Sequence, residues 1–242
     1  MTGREEARRA KRFTNASSLT WGRVEARHDR NVIVAGGGSL LGLDFDLLLE
    51  TAAAGAHVIG VNRAVDWLPV MHSWFTLDPD DLVRPLMRQP LEEARYYAAV
   101  PDDYGQAAAR LPNHRAPAEP GVTWLHRITG TGALKARHQL SEDRGAIHTG
   151  NSAWGALGVA YHMCRQVMDH RVVLLGVDGD TGPYAFVAGR PRTGFDHLPA
   201  LFESALPQLR DRGIAVVNGS ARSRVTCFTR CDPNQALAWL MS

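Results

Sequence analysis

Cysteine is scarce in this chain, and where it occurs it excludes two classes of protein. Cys164, Cys227 and Cys231 are three in 242 residues, too few and too badly spaced for a disulfide framework or a C-x-x-C zinc site. An excess of one charge is also missing. The 27 Lys and Arg face 25 Asp and Glu, which argues against a dedicated nucleic-acid binder by bulk charge and leaves room for local basic patches. No apolar run approaches the roughly 18 residues of a membrane span, and the N-terminus is charged without the apolar core of a signal peptide, so the expected location is the cytoplasm. What remains is an ordinary globular composition, 45% hydrophobic and 21% charged, of a length suited to one α/β domain with a large core.

The chain is organised around Asn31 to Gly42, an apolar run that stops abruptly in Gly36, Gly37, Gly38 and Ser39. Val32 to Ala35 is short, β-branched and without polar alternation, the pattern of a strand buried on both faces. Glycines at its end let the backbone turn sharply and a ligand approach the main chain. A helix over about 43–54 and a strand from His57 to Val61 complete a strand, glycine turn, helix, strand unit, the frame of a phosphate or nucleotide site. The spacing G-x-G-x-x-x-G of Gly36, Gly38 and Gly42 departs from the dinucleotide fingerprint, and Asn62 and Arg63 stand where that fingerprint wants an acid. No Lys-Ser or Lys-Thr pair follows, so the turn is not of the Walker type.

Residues 1–30 form an expected basic arm carrying Arg4, Arg8, Arg9, Lys11 and Arg12, read as a solvated helix or fraying end, or as a contact with a polyanion or with another subunit of a homo-oligomer. Residues 31–242 form the expected domain. Ser73 to Leu77 reads as a third strand, which puts Asp78 at its C-terminal edge while Asp80 or Asp81 caps a helix to about Arg88. Ligands of open α/β sheets gather outside such edges, which makes Asp78 a candidate binding residue. Tyr96 to Val100 and Val122 to Leu125 are further short strands. From His126 to His148 no periodicity appears, and the Lys135, Arg137 and Arg144 it holds suit a basic lid.

Thr149, Asn151 or Ser152 can cap a helix whose first turns are nearly all small, so something comes close to its N-terminus. That end suits a phosphate, or else the helix packs tightly on the sheet. Val172 to Leu175 is a buried strand ending in Asp178 and Asp180. A helix over Leu198 to Leu209, a strand over Ile214 to Val217 and a helix over Pro233 to Trp239 close the fold. Asn218, Ser220 and Ser223 lie past a strand end, either lining the site or forming a polar turn. These elements predict one α/β domain built on an open sheet covered by helices, with a lid region.

The order "VIVAGGGSL", "GVNRA", "FTLDP", "GNSAWGALGVA" and "VVLLGVDGDTGPYAF" resembles the bacterial sialyltransferases of the α2,3 type. It is similar as well to related uncharacterised phage proteins and to archaeal hydroxymethylpterin pyrophosphokinases. The resemblance runs from about residue 31 to 220 and implies a doubly wound, mostly parallel, Rossmann-like α/β sheet with helices on both faces, a single-domain glycosyltransferase-like fold with a nucleotide-activated donor across the strand ends. Position by position, it implies that Gly36, Gly37, Gly38 and Ser39 approach the donor phosphates and ribose, and that Asn62 and Asp78 hold the nucleotide. Ser152, beside Asn151, matches a donor-binding serine, and Asp178, at the end of its strand, is a further candidate for binding the nucleotide. Tyr184 matches a tyrosine that hydrogen-bonds the leaving phosphate, and His197 in "FDHLPALF" falls near the general-base histidine. Asp180 replaces a second such tyrosine and Asp78 replaces an amide. Two carboxylates beside a phosphate repel it unless a cation such as Mg²⁺ or Mn²⁺ stands between, so Asp78 and Asp180 are candidate metal ligands and the donor a metal-dependent nucleotide sugar or an NTP. The acceptor stays open among a glycan, a modified DNA base and a small molecule. The rival expectations are an NADP-dependent reductase reading a 2′-phosphate with Arg63, and a non-catalytic accessory phage protein.

Overall fold

Strand β1 (Arg30–Val34) is apolar on both faces because both are covered: Ile33 belongs to one side's core, Val32 and Val34 to the other's. The computed structural model describes residues 21–25, 28–78, 94–101, 122–128, 139–164, 169–180, 182, 184–186 and 195–242. After β1 a turn of 3₁₀ helix, Gly38–Gly42, precedes α1 (Phe45–Ala53), so the helix does not start directly at the glycines. Asp44 caps α1 by accepting from Asp46 N and Leu47 N, which satisfies donors that a helix start leaves open.

The sheet continues through β2 (His57–Val61), β3 (Ser73–Thr76), β4 (Arg95–Val100), β5 (Val122–Ile128) and β6 (Ala146–His148). Then come α2 (Ser152–Met163), β7 (His170–Leu175), α3 (Leu198–Glu203), α4 (Leu206–Asp211), β8 (Ile214–Asn218), β9 (Thr229–Arg230) and α5 (Pro233–Met241). Within the described residues the order across the sheet is β6-β5-β4-β3-β2-β1-β7-β8-β9, every pairing parallel. The doubly wound α/β class expected from the sequence is therefore the observed one.

Helices α2, α3 and α4 cover one face, where Trp154, Leu157, Leu201 and Phe202 meet Ile33, Phe75 and Ile147. On the other face, α1 and α5 bring Leu48, Leu237 and Leu240 against Val32, Val58 and Val173. Burying each such side chain contributes about 1.5–3 kcal/mol. All of α2 is buried. Its small residues are explained by the sheet: a Cβ on Gly155 would lie 2.4 Å from the Phe75 ring. Asn234, in the first turn of α5, donates to Gly42 O at 3.0 Å and accepts from Asp44 N at 2.9 Å, pinning the segment that follows the glycine turn.

Several sequence expectations need correction. The helix drawn over Leu198 to Leu209 is two helices, because Pro207 has no N–H and its ring crowds the preceding turn; α4 restarts with Pro207 in its first turn. The stretch from His126 to His148 contains the end of β5 and all of β6, a three-residue strand too short to show a period. The basic arm drawn to Arg30 includes residues 21–25 that lie along the sheet edge, where Gly22 N donates to Trp124 O and Val24 is buried. The helix expected to run to Arg88, most of the basic lid and the residues before 21 fall outside the described residues. No described helix is long and apolar enough to cross a membrane.

Candidate functional site

Parallel strands deliver their C-terminal ends to one edge, and here the direction of winding reverses between β1 and β7. At such a crossover the connections leave toward opposite faces and open a crevice. A cavity of about 340 Å³ occupies it, within the range of small-ligand sites.

The β1 wall is the glycine turn, which is held against the exit of β7. Gly37 N donates to Gly176 O at 2.9 Å. Ser39 donates twice to Asp178, from its N to Oδ2 at 3.1 Å and from Oγ to Oδ1 at 2.5 Å. The close approach that Gly37 permits is thus that of its own neighbouring turn: a Cβ there would stand 2.4 Å from Gly176 O and 2.5 Å from Asp178 Oδ2. Asp178 is 6% exposed, and a buried carboxylate needs such charge-assisted donors. Gly176 and Gly179, at φ of 68° and 67°, let the chain turn on either side of it. Asn218 and Ser223 do not line the cavity. They act one layer back, where Asn218 Nδ2 and Ser223 Oγ donate to Val177 O at 3.2 and 2.7 Å while Arg224 N donates to Asp178 O.

The β2 exit supplies Asn62, in a left-handed conformation at φ 52° that asparagine tolerates better than most residues. Trp74 Nε1 donates to its carbonyl at 2.7 Å, and Thr76 Oγ donates to its Oδ1 at 2.8 Å. With Oδ1 so engaged, the Nδ2 end of the amide is the donor left for a ligand. Arg63 also lines the cavity and pairs with Asp66 at 2.8 Å on exposed surface. Asp78 lines it too, exposed, its N donating to Thr76 Oγ.

From the opposite face comes the N-terminus of α2, where Asn151 Oδ1 accepts from Ala153 N at 2.8 Å; Asn151, Ser152 and Ala153 all line the cavity. Tyr184 crosses the glycine turn like a strap. Ala185 N donates to Gly36 O at 3.1 Å, and the tyrosine ring covers Gly36 so closely that a Cβ there would lie 2.8 Å from it. Trp67 and Phe186 add an aromatic wall with ring centroids 4.5 Å apart.

The structure brings Gly36, Gly37, Asn62, Asp78, Asn151, Ser152, Asp178 and Tyr184 to one cavity. Gly38, Ser39, Asp180 and His197 are not on its wall. Ser39 stands behind, bonded to Asp178. Asp180 Oδ1 accepts from Gly182 N at 3.2 Å, inside its own loop. His197 Nε2 lies 3.2 Å from Gly150 O, beside the cavity, with Phe195 and Leu198 on either side of it in the lining. The proposed Asp78 and Asp180 pair is therefore not on one wall, and among the described residues no group of three His, Cys, Asp or Glu is placed to hold a metal ion. The sequence reading missed Trp67, Phe186 and Arg127. Arg127 ties the strand exits together, donating to Leu77 O and Thr149 Oγ at 3.0 Å each, and was hidden because β5 runs past the residue at which its pattern ends. No protein-family model and no curated protein matches the chain.

Proposed function

We propose that the chain is a glycosyltransferase-like enzyme that holds a nucleotide-activated donor across the exits of β1, β2 and β7. The observation that carries this is the convergence on one crossover cavity of a constrained Asn62 amide, the N-terminus of α2 and the Tyr184 strap. The amide suits a ribose or base, and the helix end and phenol suit a developing phosphate charge. Transfer breaks the bond from the donor carbon to the phosphate oxygen and forms one to the acceptor oxygen, with the acceptor's proton passing to His197. Since His197 stands beside Gly150, the acceptor end lies at the edge between α2 and α3, lined by Phe195 and Leu198. The sialyltransferase resemblance supports this class, and the pyrophosphokinase variant shares the same donor half. Among the described residues no group of three His, Cys, Asp or Glu is gathered, and Mg²⁺ or Mn²⁺ would be held by the donor phosphates together with Asp78, the carboxylate exposed on the cavity wall.

The test is a thermal-shift screen of nucleoside di- and triphosphates, nucleotide sugars and NADPH, with and without Mg²⁺. A ligand at about 100 times its dissociation constant adds about 2.7 kcal/mol, or roughly 5–11 °C for a chain of this size. A response to NADPH alone overturns the proposal in favour of a reductase, and no response at all in favour of an accessory protein.

A further inference from the structure

Three aromatic rings gather at the β2 side of the cavity without closing over one another. Trp67 and Phe186 lie 4.5 Å apart at 45°, and Phe45 braces them at 6.2 and 5.8 Å. Phe186 nevertheless stays 40% exposed, and both Trp67 and Phe186 line the cavity. The wall is anchored from behind: Phe45 opens α1, next to the Asp44 cap that Asn234 holds in place. A solvated flat apolar face beside a polar crevice is what a planar ring of a ligand covers.

The rest of the cavity says which end of the ligand that is. Trp67 follows the same 3₁₀ turn, Asn62–Asp66, that carries the Asn62 amide, so a donor for a ribose or ring edge and a stacking surface come from one short segment. The glycine turn offers a nucleotide less than its composition promises. The N–H groups of Gly37 and Ser39 are taken by Gly176 O and Asp178.

We infer that the ligand of this cavity carries a planar heteroaromatic ring stacked on the Trp67–Phe186 wall, and that this stacking, rather than contact with the glycine turn, is its main source of affinity. The inference rests on the nucleotide reading above and extends it by assigning the base a subsite.

The probes are uridine, cytidine, adenosine and guanosine 5′-diphosphates, with ribose 5-phosphate as a base-less control, titrated against the full chain by calorimetry and by tryptophan fluorescence. Stacking contributes about 1–3 kcal/mol per base, so Trp67→Ala and Phe186→Ala should each weaken the best diphosphate roughly 5- to 150-fold. Trp67→Phe should keep most of the affinity and abolish the ligand-induced quenching, a readout that a merely structural tryptophan would not move. Ribose 5-phosphate should bind far more weakly than any diphosphate and respond to neither alanine variant. If Trp67→Ala unfolds, Phe186→Ala carries the test, because its side chain is 40% exposed and lies outside the buried core. Should the parent bind no nucleotide, the donor reading fails and this inference with it. Should it bind one while Phe186→Ala and a folded Trp67→Ala stay within about twofold, the stacking subsite alone is overturned.

Discussion

Gly37→Ala adds one methyl group at the point where β1 and β7 part. Gly37 has φ −68° and ψ 153°, a conformation any residue adopts, so the substitution meets no backbone penalty and its whole cost is spatial. The new Cβ would lie 2.4 Å from Gly176 O, 2.5 Å from Asp178 Oδ2 and 2.6 Å from Asp178 Cγ. Relief requires the 176–178 turn to move away by about 1 Å, yet Asn218, Ser223 and Arg224 hold its carbonyls. Overpacking of this kind costs about 1–3 kcal/mol. Stretching the bond from Gly37 N to Gly176 O forfeits about 0.5–1.5 kcal/mol, and loosening the charged Ser39–Asp178 pair forfeits a similar amount or more. The expected loss is about 3–5 kcal/mol, or roughly 6–20 °C in thermal midpoint. Gly42 is the control: nothing lies within 4 Å of a Cβ built there, so Gly42→Ala should change stability by less than about 1 kcal/mol. Thermal and urea unfolding of both variants decide it. A Gly37→Ala protein melting within about 2 °C of the parent refutes the close contact of the two turns.

Acid should destabilise the protein through its buried histidines. Burial first, then the charges of Arg212 and Arg144, lower the His162 pKa to about 4, and burial, His28, His72 and Arg95 lower that of His57 to about 3. Neither ring nitrogen of His162 meets a hydrogen-bond partner among the described residues. The unfolded chain protonates these groups near pH 6.5, so their stabilising contribution is full above that value and is lost as pH falls from about 6.5 toward 4 for His162 and toward 3 for His57, by about 2 kcal/mol each at pH 5. His162→Leu should remove about 2 kcal/mol of the difference between urea unfolding at pH 7 and pH 5; an unchanged difference would show that His162 is not held neutral. His197→Ala should leave nucleotide affinity within about threefold, because the ring stands beside the cavity, while lowering turnover about 10²–10⁴-fold. A larger loss of affinity in the titration would put His197 in contact with the donor instead.

What the sequence determined by itself is what short-range chemistry controls. Apolar runs without alternation mark β1 and β7 as buried strands, and the polar stretch Thr149 to Ser152 marks where α2 begins, with Asn151 the residue that caps it. The α/β class follows from the alternation of such runs with helical stretches. Tertiary structure alone decided the rest. The Ser39 donors of the glycine turn are taken by a carboxylate 139 residues further on, and the Gly37 N–H by the carbonyl of Gly176, which no local pattern reveals. Positions 45, 67 and 186 form one wall, although each in isolation reads as an ordinary apolar side chain. Asn62 looks like a strand-end polar residue in the sequence, but Trp74 and Thr76 across the sheet set its left-handed turn and the facing of its amide. Periodicity and capping act within one turn or strand and are written locally. The partners of a strand exit are chosen by the order of the whole sheet, which exists only once the chain has folded.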